Sequence, residues 1–331
     1  MLLPAFGHCF CSTLCSLFAR WSGNTHGSCR QLYLEELPQE TGNGERNLTE
    51  KVYENTSKSY PLSMTSAVTL ALQKLVQNHV FEHVVEFLAL CAPAPIGLDV
   101  IVSFVTKQDP DLDEDLTAAE ISKCSLLMQL CPDDSPRTLI TMHQVVHDVF
   151  KSYVLDKSSE DDVSVLTQSC IETLSPFAQH NLLQFDLEFH ISSKMMAPHL
   201  KLLSSHFETP FNCKLDLSID KRTLLQNALL SFGDVCRKHS YFSAAKTYFE
   251  YALQIAHVDD DGDDENKVHF IATTRNHLGV VYRELGHFGK AKDHHQCALA
   301  LLETFNPENP TSEIADSLNK LGNVLFQSWP F

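Results

Sequence analysis

The chain has 331 residues, 44% of them hydrophobic and 20% charged, which is enough to bury a substantial core in two or three domains and excludes disorder along its whole length. Lys and Arg number 25 against 42 Asp and Glu, and the formal net charge of -17 repels phosphate backbones and anionic membranes where no basic patch is concentrated; the sequence has none. Eleven cysteines, an odd number without framework spacing beyond the N-terminus, favour reduced thiols and a cytosolic setting.

Residues 1–62 read as a flexible lead-in, rich in Ser, Gly, Asn, Thr and Glu without a sustained apolar period. Met1–Ala19 carries no Asp, Glu, Lys or Arg. No basic residue precedes this apolar run, however, and His8, Ser12, Thr13 and Ser16 interrupt it. It also falls short of the roughly 20 apolar residues of a spanning helix, so a cytoplasmic chain is expected and no membrane partner. Asn47-Leu48-Thr49 and Asn55-Thr56-Ser57 would be glycosylation acceptors only in a secreted protein. His8, Cys9, Cys11, Cys15 and Cys29 are ligand-type residues without paired Cys-x2-Cys spacing, so no metal and no cofactor is expected.

Between 63 and 92 the apolar period predicts two helices, one through Val68, Leu72, Leu75 and Val76 and one through Val84, Val85, Leu88 and Ala89, stopped at Pro93-x-Pro95. A short helix over 97–107, an acidic loop over 109–115 and a helix over 117–125 follow. Leu126–Cys131 and Arg137–Met142 flank the turn-rich Pro132–Pro136 and predict a hairpin, with a helix over 143–155 directly after it. Helices followed by a small hairpin are the layout of a winged-helix domain over 63–155. A DNA-reading role is disfavoured because 143–155 offers one lysine, Lys151, for phosphates and base edges, so no nucleic-acid partner is expected.

Phe87–Pro93, Cys124–Leu127 and the run Met142-His143-Gln144-Val145-Val146-His147-Asp148-Val149 resemble the winged-helix part of NB-ARC (STAND-type) signal-transduction ATPases that carry C-terminal tetratricopeptide repeats. The resemblance implies a module standing between a nucleotide-binding domain and the repeats as an intramolecular switch element. No Gly-x4-Gly-Lys-Ser/Thr loop occurs in this chain, so that family's ATPase is not expected here.

Residues 156–220 predict a helical connector, with candidate segments over 163–174, 182–189 and 200–207, and Ala197–Leu203 is similar to the connecting helices of the same family. From about Thr223 an internal repeat begins. Gly233, Gly279 and Gly322 each follow a large apolar residue, Phe232, Leu278 and Leu321. Twelve and nineteen residues after the first two glycines lie Ala245 and Ala252, then Ala291 and Ala298. Small residues at fixed offsets are what two helices need where they cross closely, so the pattern predicts an α-solenoid of helical hairpins over 221–331. Two hairpins are complete and the third has only its first helix. Phe249 takes the large slot in the first repeat and His295 takes it in the second, and the turns are marked by Ser240-Tyr241-Phe242 and Gly286-His287-Phe288-Gly289.

The glycines are 46 residues apart (279 minus 233) and 43 apart (322 minus 279), longer than the ordinary tetratricopeptide period. With Asn276-x-Leu278-Gly279-x2-Tyr282-x3-Gly286 and Asn306–Pro310, this period resembles the kinesin-light-chain and nephrocystin type of repeat over about 223–327. The resemblance implies a concave groove lined by the first helix of each hairpin, with a side-chain amide three residues before the glycine holding a peptide backbone. Asn276 and Asn319 match that position and Leu230 does not; Thr273 and Arg283, on the helix of Asn276, are further candidates. A bond from such an asparagine to a neighbouring helix is an equal reading. The lysine-bearing carboxylate clamp of chaperone-binding relatives is not matched.

Nucleophile-elbow, His-Glu-x2-His and dinucleotide motifs do not occur in the sequence, and the acidic run Asp259–Glu265 has His257 and Val268 where a calcium loop needs carboxylates. The expectation is a non-catalytic scaffold that binds protein or peptide partners. The alternative is a regulatory fragment that associates with a full-length STAND-type relative.

Overall fold

The computed structural model describes residues 59–131, 137–179, 187–207, 218–257, 265–305 and 311–328, and these are mostly helical. The N-terminal cysteines, both asparagine acceptors, Cys213 and the acidic run 259–264 lie outside the described residues.

Helix α1 (Ser59–Leu75) is followed after three residues by α2 (His79–Leu90), whose first turn is closed by the Asn78 side chain accepting the Val80 N–H at 3.0 Å. Pro93 and Pro95 end the helical run, and the chain enters the two-residue strand β1 (Ile96–Gly97) before α3 (Leu98–Gln108). The sequence pattern did not reveal β1, because two residues carry no period. Helix α4 (Glu114–Ile121) starts and stops earlier than the 117–125 of the sequence reading. The cause is local: Asp113 accepts the Leu116 N–H at 2.9 Å and caps the helix inside what read as an acidic loop. Residues 122–127 are left as turns that bury Leu126 and Leu127.

Strands β2 (Met128–Leu130) and β3 (Leu139–Thr141) pair antiparallel with Gln129 opposite Ile140, and β1 pairs on the other side of β3 with Ile96 opposite Ile140. The strands are shorter than expected, and the sheet has three strands in the order β1-β3-β2. Helix α5 (Gln144–Lys157) is capped by His143, whose Nδ1 accepts the Val145 N–H at 3.2 Å. It packs on α1 and α2, while Phe87 of α2 and Phe104 of α3 meet with ring centroids 4.8 Å apart.

Helices α6 (Glu160–Gln179) and α7 (Leu187–Ser204) run through Pro176 and Pro198, and a 3-10 turn (Ser205–Phe207) follows. The sequence reading started a separate segment at Leu200. In the structure Met196, Ala197, Leu200 and Leu203 form one buried face across Pro198, and that packing overrides the missing backbone bond. His199 is fully buried, with Nε2 3.2 Å from the Pro95 carbonyl; a carbonyl only accepts, so this nitrogen carries the proton. Burial pushes the His199 pKa down to about 4. His147 makes the same kind of bond to the Cys91 carbonyl at 2.7 Å, so α5 and α7 are both fastened to the turn after α2.

Two antiparallel hairpins follow: α8 (Ile219–Lys238) with α9 (Phe242–His257), and α10 (Glu265–Glu284) with α11 (Phe288–Phe305). Helix α12 (Ser312–Gln327) packs on α11 and α10. The two turns are built alike. Tyr241 N–H reaches back to the Cys236 carbonyl and His287 N–H to the Tyr282 carbonyl, each at 2.8 Å, a helix C-cap that needs a left-handed residue. Gly286 supplies it at φ 77°, and Ser240, at the matching place, adopts φ 63° without being glycine. The array joins the N-terminal helices through α8 on α6 and through the Tyr248 hydroxyl, which donates to the Leu200 carbonyl at 2.6 Å. The main core runs from Val68 to Val324, and Ala272, Ala298, Leu302 and Ile314 form a second, smaller cluster among α10, α11 and α12. Cys91, Cys124, Cys170 and Cys236 are buried free thiols, and burial raises the pKa of each. No described helix is long and apolar enough to cross a membrane.

Candidate functional site

The small residues singled out in the sequence stand at helix crossings. A Cβ added to Gly233 would lie 2.7 Å from Cδ1 of Phe249, and one added to Gly279 would lie 2.6 Å from Nε2 of His295. Ala245, Ala252, Ala291 and Ala298 are fully buried. Gly322 differs: nothing lies within 4 Å of an added Cβ, because no described helix follows α12 to cover that face.

Asn276 does not face a groove with a free amide. It is 5% exposed, its Nδ2 donates to the Ser317 hydroxyl at 2.7 Å, and its Oδ1 lies 3.0 Å from Nδ1 of His295. The Ser317 hydroxyl in turn donates to the Glu313 carbonyl at 2.8 Å. Since Oδ1 only accepts, His295 carries its proton on Nδ1, which leaves Nε2 as a buried lone pair without a partner. Burial first, then Lys320 and Arg283, lower the His295 pKa to about 4. Asn276 therefore pins α10 to α11 and α12, the neighbouring-helix reading of this position.

Asn319, three residues before Gly322, is exposed and lies outside the cleft described below, and Arg283 is turned to Glu284 at 2.6 Å. Thr273 does line a cleft. Between α10 and α12 lies a space of about 220 Å³ bounded by His269, Thr273, Asn276 and His277 of α10, Leu302 of α11, and Glu313, Asp316 and Lys320 of α12. Thr273 and His277 lie one helical turn apart on a single stripe, and Asp316 and Lys320 hold the same positions relative to Gly322. Asn276 is rotated about 100° from His277, so it borders the cleft while its amide turns into the helix seam.

His277 stacks edge-on against Phe249 with ring centroids 5.2 Å apart, and its Nδ1 is enclosed without a hydrogen-bond partner. Burial lowers its pKa to about 4, with smaller contributions from Asp234 and Arg237 of α8 and from Lys320 and Asp316 of α12. Asp234 is buried; that raises its pKa, but bonds from Lys238 and Arg237 outweigh the burial and hold the carboxyl below its ordinary value. Across the cleft His269 Nδ1 meets Glu313 Oε2 at 3.2 Å, and Lys320 pairs with Asp316. The arrangement offers hydroxyl, imidazole and carboxylate groups side by side. No group of three or more His, Cys, Asp or Glu suited to a metal occurs among the described residues.

The sequence reading missed His269, His277, Glu313, Asp316 and Lys320. Their signal was present as the stripe set by Thr273, read one turn further along each first helix. The chain matches no protein-family model and no curated protein.

Proposed function

We propose that the chain is a non-catalytic interaction scaffold, a winged-helix-like module followed by tetratricopeptide-type hairpins, that holds a segment of a protein partner in the cleft between α10 and α12. The observation that carries this reading is the cleft itself, a polar opening of about 220 Å³ walled by two first helices that repeat the same register, with Thr273 and His277 on one wall and Asp316 and Lys320 on the other. Hydroxyl, imidazole and carboxylate groups at one helical spacing bond a backbone or polar side chain without needing reactive chemistry. The glycine and alanine crossings at Gly233 and Gly279 support the repeat reading, and the three-stranded sheet after a helical bundle supports the winged-helix reading.

Affinity capture followed by mass spectrometry, comparing the intact chain with Thr273→Trp, tests the scaffold. Thr273 is half-buried at the cleft wall, so an indole there fills the space while leaving the Asn276 network intact. Loss of specific partners from the variant is expected. An unchanged partner set with the fold intact would overturn the reading.

A further inference from the structure

The ion pairs on α8, α10 and α12 do not face outward in the same sense. On α8 the carboxylate is tucked in and the cations face out: Asp234 is 9% exposed while its partners Arg237 and Lys238 are 29% and 38% exposed. On α10 and α12 the sense reverses. Arg283 is 21% exposed against 39% for Glu284, and Lys320 is 23% exposed against 53% for Asp316, with Glu313 also open at the cleft edge. The charges of Asp234 and Arg237 on α8 and of Lys320 and Asp316 on α12 all act on His277 of α10. On α8 one carboxylate stands against two cations, and on α12 Asp316 and Glu313 stand against one lysine, so cations are presented at the α8 end and carboxylates at the α12 end.

Packed helices lie about 8–10 Å apart, so crossing from α8 over α10 to α12 takes about 16–20 Å. Arg237 and Lys238 stand four and five residues after Gly233, whereas Asp316 and Glu313 stand six and nine residues before Gly322. The path therefore also runs about 15–21 Å along the helices, and an extended chain covers the resulting diagonal of roughly 22–29 Å in about eight residues. We propose, on the reading that the concave face is a binding groove, that it selects an extended protein segment of split charge. An acidic side chain sits at Arg237 and Lys238, and a basic side chain about eight residues away sits at Asp316 and Glu313. Charge complementarity of this kind sets specificity and register more than raw affinity.

The test uses the full chain and four capped, fluorescein-labelled peptides in one Ser/Gly background. They carry Glu and Arg about eight positions apart, two Glu, two Arg, or neither, and fluorescence anisotropy reads their binding. The split-charge peptide is expected to bind best. The double variant Glu313→Lys/Asp316→Lys is expected to lower its affinity about tenfold and to raise that of the two-Glu peptide by a similar factor. The same charge change on α6, Glu160→Lys/Asp161→Lys, is expected to leave the order of the four peptides unchanged.

A variant that weakens the split-charge peptide without gaining the two-Glu peptide, or a wild-type preference for any other peptide, overturns the split-charge rule. If all four bind equally and Thr273→Trp abolishes them together, the rule falls and the groove stands. If none binds in a manner that Thr273→Trp affects, the rule and the groove reading both fall.

Discussion

In the first hairpin the Phe249 ring fills the space over Gly233, and Leu230 stands three residues before that glycine; in the second, His295 fills the space over Gly279 and Asn276 takes the place of Leu230. The backbone geometry is the same and the chemistry is opposite. An apolar pair has been exchanged for a hydrogen-bonded one, and the exchange works because both members changed: His295 supplies the donor that the Asn276 carbonyl needs. The polar version also does something Leu230 and Phe249 do not, since the free end of the Asn276 amide reaches Ser317 and ties down the next helix.

The feature the two hairpins share should be the most sensitive. Gly233→Ala and Gly279→Ala each put a methyl group against a fully buried ring, Phe249 or His295, with no open space to move into. Overpacking of this sort costs about 1–3 kcal/mol, which outweighs the helix-propensity gain of about 1 kcal/mol when the contact is this close. Thermal unfolding should show both variants lowered by several degrees. If either is neutral, the crossing is looser than the ring positions require.

The difference between the hairpins can be broken separately. His295→Phe copies the first hairpin's ring but leaves the Asn276 carbonyl buried without a donor, at a cost of about 1–3 kcal/mol. Adding Asn276→Leu should recover part of that loss, and a double-mutant cycle reports the coupling. The pair also predicts an acid response. His295 has its pKa lowered to about 4 in the fold from 6.5, so below about pH 6.5 the unfolded chain binds a proton that the folded chain refuses. Its contribution to stability is therefore complete above pH 6.5 and falls as the pH is lowered towards 4. Protection of α11 and α12 amides should fall before that of α8 and α9, and the double variant should narrow the gap. Equal loss in both hairpins would remove His295 as the cause.

The glycine and alanine spacing was legible in the sequence because close helix crossing tolerates few residue types at fixed offsets. The Asn276-His295-Ser317 relay was not, because its members lie on three helices and each is an ordinary residue alone. Two residues decided the misplacement of α4 and α7: Asp113, which caps a helix inside the acidic stretch, and Pro198, which a buried face carries through. Thr273 pointed to the cleft, but its other members were missed because the reading followed the amide position three before the glycine, which lies about 100° round the helix from the open stripe and at Asn276 turns into the helix seam.

The smallest effect has the opposite sign. Gly322 occupies the register of Gly233 and Gly279 on α12, but a methyl group there meets nothing within 4 Å. Gly322→Ala should therefore show only the propensity term and stabilise α12 by up to about 1 kcal/mol. Global unfolding would blur so local a change, so slower hydrogen exchange of the α12 amides is the appropriate measure. A faster exchange would mean that a helix packs over Gly322 in solution, as Phe249 and His295 pack over its two counterparts. The sign of this one substitution thus decides whether the third crossing is open or closed.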